Sequence, residues 1–100
     1  MRSRLSAKAA EELLDILKFI ARDDPGAAAR FHTRVLEALA VASRFPEAGR
    51  RVPEQRDSDL REMIVAPYRV IYRRLHDGIL AVAVCHGARR SPLNPKRSLR

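Results

Sequence analysis

The chain of 100 residues contains one cysteine, no tryptophan, two tyrosines and four glycines. A lone cysteine excludes an internal disulfide, and Cys85 stands in an apolar run where a thiol usually acts as a small buried hydrophobe. No run approaches the ~18 apolar residues of a membrane span, and the N-terminus lacks the apolar stretch of a signal peptide. These absences predict a cytoplasmic protein.

Motifs for metals and cofactors are also missing. His32 and His76 are isolated, and Cys85 beside His86 does not make a zinc ligand set. The sequence has no glycine-rich phosphate loop and no nucleophile elbow. We therefore expect no metal and no cofactor.

The length predicts a single domain, residues 1–100, with a small core. The net charge is +8, and it is localised: residues 60–100 hold nine of the 20 Lys and Arg residues but only two of the 12 acids. Such a one-sided field favours a polyanion or an acidic protein as the partner.

Two amphipathic helices are predicted in the first half. Ser6 can cap the first helix, and its apolar positions recur every three or four residues. Asp24 and Pro25 open the second helix, which ends near Arg44 before Phe45-Pro46. The short link predicts an antiparallel hairpin. The two apolar stripes are Ala9, Leu13, Ile16, Leu17 and Ile20 in the first helix, and Phe31, Val35, Leu39 and Ala42 in the second.

A polar segment, residues 47–59, is predicted to be a long connecting loop. Strand-type runs follow at residues 60–66, 68–75 and 79–86, and Asp77-Gly78 indicates a tight hairpin between the last two. The third run lacks polar alternation, which is typical of an interior strand, and residues 2–5 could add an edge strand. The predicted fold is α+β, of order β-α-α-β-β-β: a helical hairpin packs on a mostly antiparallel sheet of three to four strands. The opposite sheet face and a basic tail, about 91–100, are left for a partner.

The order of these elements and several short motifs resemble the RelE/ParE superfamily of bacterial toxins, and the ParE-like branch most. The motifs are the alanine-rich opening at 7–14, Asp24-Pro25, Pro46 with Gly49-Arg50, Leu60-Arg61, Tyr68-Arg69-Val70-Ile71-Tyr72-Arg73 and His86-Gly87-Ala88-Arg89.

This resemblance implies the toxin of a type II toxin–antitoxin module, which inhibits bacterial growth and forms a hetero-oligomer with its cognate antitoxin. ParE-like members bind DNA gyrase, whereas RelE-like members are ribosome-dependent mRNA endonucleases. RelE-like nucleases typically carry sheet lysines or a tyrosine near the C-terminus, but this chain has no lysine between Lys18 and Lys96 and no tyrosine after Tyr72. We therefore favour gyrase binding without catalysis. The alternatives are RelE-like cleavage and a nontoxic remnant that binds nucleic acid.

Metal-free RNA cleavage needs a base, cations for the phosphorane and an acid. If the chain is a nuclease, the resemblance and the residue types together point to Arg61, Arg73, His86 and Arg89. His86 also has a structural interpretation, as a hydrogen-bonded histidine on the strand face of Leu80, Val82 and Val84.

The residues predicted to bind a partner are Arg61, Arg69, Tyr72, Arg73, His86, Arg89 and Arg90. Simpler interpretations exist: Tyr68 and Tyr72 pack on the sheet with outward hydroxyls, while Arg69 and Arg74 are solvated.

Arg61 and Arg73 are expected to lie near each other on adjacent strands, where like charges repel unless an anion lies between them. Glu62 is a candidate for that anion, so an internal ion pair and a partner site are both open.

The expected antitoxin contact is an amphipathic helix laid against the helical hairpin, followed by an extended acidic or apolar segment along the sheet.

Overall fold

A computed structural model describes residues 2–55 and 57–87 of the chain. Two helices lie over one mixed sheet. The helices are α1 (Ala7–Ala21) and α2 (Pro25–Arg44), and the strands are β1 (Arg2–Leu5), β2 (Arg50–Arg51), β3 (Arg61–Val65), β4 (Tyr68–Leu75) and β5 (Gly78–His86), with a short 3-10 turn at Pro53–Gln55. The predicted α+β class and helical hairpin are confirmed. The sheet has five strands, because β2 forms inside the segment that was predicted to be a loop.

The helix boundaries follow from capping chemistry. The Ser6 hydroxyl accepts a hydrogen bond from the Ala9 N–H, and the Asp24 carboxylate accepts one from the Ala27 N–H. Each side chain satisfies one of the N–H groups that a helix start leaves without a partner. Pro25 occupies the first turn of α2, where its missing N–H is tolerated.

The sheet has the strand order β1-β5-β4-β3-β2. β1 runs parallel to β5, and every other neighbouring pair is antiparallel. The predicted edge strand and the Asp77-Gly78 hairpin are both present. Gly78 is required because the backbone of β1 lies very close to it: a Cβ atom at this position would lie 1.8 Å from the Arg2 carbonyl oxygen.

The main core lies between the hairpin and the sheet. The predicted α2 stripe is fully buried and meets the side chains of β3, β4 and β5 that point to the same side. This cluster contains Phe31, Val35, Leu39 and Ala42 from α2, with Val65, Val70, Tyr72, Ile79 and Ala81 from the sheet. The hairpin therefore covers one sheet face, which we call the helix face.

The opposite face is partly covered by its own chain. Val52 is fully buried there against Ile71, Ala83 and Cys85, with Leu60 packed beside them. The expectation that this face is left open for a partner is wrong for the part beneath Val52 and Leu60. The sequence pattern did not predict this cover, because a single valine in a polar segment gives little indication of a buried contact.

A β-bulge in β5 changes which residues share a face. Ile71 pairs with Ala83 and Tyr72 pairs with Ala81, so Val82 is an extra residue in β5. The alternation shifts by one from that point, and Val84 joins Ala81 in the main core. The predicted grouping of His86 with Leu80 and Val82 is therefore wrong.

Tyr72 ties the segment after α2 to the sheet. Its buried hydroxyl donates a hydrogen bond to the Pro46 carbonyl at 2.7 Å and accepts one from the Gly49 N–H at 2.9 Å. A Cβ atom on Gly49 would lie 2.5 Å from this hydroxyl, so glycine permits the approach. Burial raises the pKa of Tyr72, while the Gly49 hydrogen bond and the Arg61 charge act in the opposite direction. The prediction of an outward hydroxyl on Tyr72 is wrong.

The Tyr72→Phe substitution should lower the free energy of unfolding by about 1–3 kcal/mol, because the buried Gly49 N–H and the partly buried Pro46 carbonyl lose their partner. The raised pKa adds a pH dependence: the folded state favours the neutral phenol, so the native chain should lose stability as pH rises above about 10, and the variant should lose less. Urea unfolding at neutral and alkaline pH measures both effects. Tyr68→Phe is the matched control, and equal effects of the two substitutions would contradict this role.

Candidate partner-binding surfaces

The register separates the two arginines that were predicted to be neighbours. Arg61 pairs directly with Tyr72, so it shares the helix face with that side chain, and Arg73 points to the opposite face. The expected like-charge contact between Arg61 and Arg73 is therefore wrong. Successive side chains of a strand point to opposite faces, so an offset of one residue in register places Arg73 on the other face from Arg61.

His86 lies at the other end of the sheet from Arg61. It pairs with Tyr68, whereas Arg61 pairs with Tyr72, four residues further along β4. At about 3.3 Å per residue, this offset corresponds to roughly 13 Å along the strand. The Tyr68 ring contacts His86 edge-on, with 5.6 Å between ring centroids, and also contacts Phe31. The described catalytic candidates do not converge on one point.

Arg69 is the centre of a buried ionic network on the opposite face. Its guanidinium donates to both carboxylate oxygens of Glu54 and, at 2.7 Å, to Glu62. The side chains of Arg69 and Glu62 are 4% and 0% exposed. Glu62 also accepts a hydrogen bond from Arg50, its direct cross-strand neighbour. The prediction that Arg69 is solvated is wrong, and Glu62 neutralises Arg50 and Arg69 instead of Arg61 and Arg73.

The electrostatics of this network favour the charged form of Arg69. Hydrogen bonds to Glu54 and Glu62 raise the pKa of Arg69 further above its usual value, against the effect of burial. Nearby, burial raises the pKa of the Cys85 thiol, and the Arg69 charge opposes that shift. A buried thiol with a raised pKa is a weak nucleophile.

Two further predicted residues, Arg89 and Arg90, lie outside the described residues, as does the basic tail at 91–100. Arg73 and Arg74 are exposed on β4, and Arg74 contacts Glu47 at 3.7 Å. Such an exposed pair contributes little to stability, so the prediction that Arg74 is solvated is confirmed.

Sequence reasoning missed a groove between α1 and the end of β5. It has a volume of about 570 Å³, and its wall includes Ile16, Phe19, Tyr68 and His86 together with the acids Glu12 and Asp15. Phe19 is 63% exposed. The predicted helical stripe included Ile16 but not Phe19, and no local pattern shows which strand the outer residues of α1 adjoin.

The same groove follows the edge of β5 beyond its pairing with β1. β1 pairs with β5 only over residues 78–81, and within the described chain no strand pairs with the rest of that edge. The Glu12 carboxylate instead accepts a hydrogen bond from the Val84 N–H at 3.0 Å. This edge offers backbone hydrogen bonds to an added extended segment.

The described residues hold no group of three or more His, Cys, Asp and Glu side chains that could bind a metal ion. Neither α1 nor α2, the helices of this described part, has the length and apolar character of a membrane span. The outer surface of the hairpin carries half-exposed apolar side chains: Leu14 and Leu36 are each 50% exposed. These features describe a small basic α+β domain with half-exposed apolar side chains on its helical hairpin.

Comparison with known proteins identifies this class of domain. The family model for the ParE toxin of the type II toxin–antitoxin system, parDE, matches residues 4–91. The chain therefore belongs to the ParE toxin family. The solved structure titled "Chromosomal ParDE TA system from P. aeruginosa" is similar, with a TM-score of 0.69 and 17% identity over 86% of this chain and 95% of that chain. At this identity, the likeness shows a shared fold. A comparison with curated protein sequences finds no significant match.

The buried network predicts a large effect of Arg69. Arg69→Met should lower the free energy of unfolding by about 3–5 kcal/mol, because it leaves the carboxylates of Glu54 and Glu62 without their buried cation. Arg73→Met is the matched control on the same strand and face, and it should change the free energy by less than about 1 kcal/mol. Denaturant unfolding of both variants measures the difference. A loss as small as that of the control would show that the network contributes little.

Proposed function

We propose that this ParE-type toxin stops bacterial growth in the cytoplasm by binding DNA gyrase, without cleaving RNA, and that a cognate antitoxin neutralises it. The observation that carries the first part is the separation of the candidate catalytic groups. Arg61 and Arg73 point to opposite sheet faces, and His86 is roughly 13 Å along the strand from Arg61. A cleavage site needs its acid, base and cation within hydrogen-bond reach of one phosphate.

The buried, ion-paired position of Arg69 also supports binding without RNA cleavage. Its guanidinium is buried and shared between two carboxylates, so it is unavailable to stabilise the charge that develops on a phosphate. Exposed groups at the sheet ends, Arg73 and His86, suit a protein contact instead. Arg69 and Tyr72 are buried, and in this proposal they hold neighbouring segments in place for a partner.

The gyrase proposal predicts that the purified chain blocks supercoiling of relaxed plasmid by gyrase and leaves messenger RNA intact on translating ribosomes. Arg73→Glu should weaken inhibition roughly fivefold, the size of one exposed charge contact, because the new carboxylate repels an acidic partner. Arg34→Glu, on an exposed face of α2, controls for net charge. The measurements are plasmid topology on gels and mapping of mRNA ends.

Ribosome-dependent mRNA cleavage with normal supercoiling would replace this function by the RelE-like alternative. If supercoiling and messenger RNA are both unchanged and the cells continue to grow, the result would favour the third alternative, a nontoxic remnant that binds nucleic acid.

For the antitoxin, we propose two contacts. An amphipathic helix covers the half-exposed leucines of the hairpin, Leu14 and Leu36. An extended segment then enters the groove between α1 and β5 and lies along the edge of β5 beyond its pairing with β1. Because Glu12 and Asp15 line that groove, an apolar or basic segment fits it better than the acidic one expected from the net charge.

This proposal predicts that Leu36→Glu restores toxicity in cells that also express the short gene beside the toxin gene. A charge placed in an apolar helix contact should reduce the antitoxin affinity at least tenfold. Thr33→Glu adds the same charge one turn away on α2 and serves as the control. The readouts are colony counts during coexpression and copurification of the two proteins. Full neutralisation of the Leu36 variant would place the antitoxin elsewhere.

A further inference from the structure

The opposite sheet face continues beyond the part that Val52 covers. Its apolar centre there is Leu80 on β5, which is half-buried. The two residues next to it in the strand, Ile79 and Ala81, belong to the main core, so the Leu80 side chain points to the opposite face. Val82 is also half-buried and packs against the Val52 cluster. A strip of apolar side chains on β5 is therefore partly open to solvent.

Exposed arginines lie on both sides of this strip. Arg4 on β1 and Arg73 on β4 are the cross-strand partners of Leu80, so the three residues form one row across the sheet. Arg4 points to the opposite face because the next residue, Leu5, packs against the main core. Arg2 lies two positions from Arg4 on β1 and points to the same side. We call this set the Leu80 surface: Arg2, Arg4, Arg73, Leu80 and Val82.

The Leu80 surface has a net positive charge. In the described part of the chain, no ion pair within 4.0 Å involves Arg2 or Arg73. Arg4 contacts Asp77 at 3.7 Å, but the two side chains are 52% and 51% exposed, so this pair contributes little. Three arginines beside one aspartate favour an acidic partner.

The spacing of the arginines suits a helix that lies along β5. Neighbouring strands are about 4.8 Å apart, so the arginines of β1 and the arginine of β4 are roughly 10 Å apart, with β5 between them. This distance is about the diameter of an α-helix with its side chains. A helix can place an apolar stripe over Leu80 and Val82 and acidic residues on both sides of that stripe. An extended segment presents only one row of side chains to the sheet, so it cannot do both.

We propose that the Leu80 surface binds an acidic amphipathic helix of the toxin's target protein. Carboxylates of that helix pair with the three arginines, and its apolar side chains bury Leu80 and Val82. A nucleic-acid backbone would also neutralise the arginines, but it would leave the apolar strip without an apolar partner. The assignment of this helix to gyrase rests on the proposed function, whereas the preference of the surface for such a helix does not.

A designed peptide tests this preference on the full chain. The probe is a peptide of about 20 residues, long enough to form a helix in water, with a leucine stripe flanked on both sides by glutamates. It should shift the NMR methyl signals of Leu80 and Val82 and leave that of Ile64 unchanged, because Ile64 is exposed on the same face but lies on β3. A peptide with lysines in place of the glutamates should bind about tenfold more weakly. Equal binding of the two peptides, or no shift at Leu80, would overturn the proposal.

The apolar part of the contact separates a helix from a nucleic acid. Leu80→Thr keeps a residue suited to a strand and should weaken binding of the glutamate peptide about fivefold, because the peptide loses part of its apolar contact. Binding of a short thymidine oligonucleotide should be unchanged by this substitution. If the oligonucleotide shifts the Leu80 and Val82 methyl signals at lower concentration than the peptide does, the surface is a nucleic-acid contact and the proposal is overturned.

A supercoiling assay tests whether gyrase supplies the helix. Leu80→Thr and Arg4→Gln should raise the toxin concentration needed for inhibition about fivefold and about threefold, respectively. Ile64→Thr and Arg34→Gln make the same changes at exposed positions elsewhere and should inhibit like the native chain. Thermal unfolding checks that each variant is folded.

The outcomes distinguish the two proposals. Inhibition by the native chain that Leu80→Thr and Arg4→Gln do not weaken would overturn this inference and leave the proposed function intact. If the native chain does not inhibit gyrase, the proposed function and the assignment of the helix to gyrase both fail. The peptide titration then decides separately whether the surface binds an acidic helix.

Discussion

The burial of the Arg69 guanidinium between Glu54 and Glu62 connects the two halves of this protein. Glu54 lies on the short 3-10 turn after α2, whereas Arg69 and Glu62 lie on central strands. Because a buried charge is tolerated only when it is paired, the turn must stay over the sheet. This position buries Val52 and closes part of the second sheet face. The network therefore determines the path of the segment between helix and sheet.

The alternation of strand residues then divides the arginines into two populations. Arg50 and Arg69 share a face with Glu62 and are neutralised there. Arg51, Arg61 and Arg74 come to the helix face, on the same side of the sheet as Tyr72. The α1–β5 groove, at the other end of β4, is the surface that we assign to the antitoxin.

Much of the fold was predictable because its signals are local. Ser6, Asp24 and Pro25 determine where the helices start, and the stripe from Phe31 to Ala42 identifies the buried side of α2. Asp77-Gly78 indicated the hairpin. The site was less predictable: Glu54 and Arg69 are 15 positions apart and meet only across a folded turn. The bulge at Val82 and the offset of Arg61 from Arg73 depend on pairing between strands, which no single run of residues encodes.

The sequence alone determined both helices, four of the five strands, their order, the buried stripe of α2 and membership of the ParE toxin family, because capping, periodicity and motif order are properties of neighbouring residues. Only the tertiary structure decided which arginines share a sheet face with Glu62 and which come to the helix face. The reason is physical: a charge is defined by the residue, but its partner is defined by strand register, and a shift of one residue moves a side chain to the other face of the sheet.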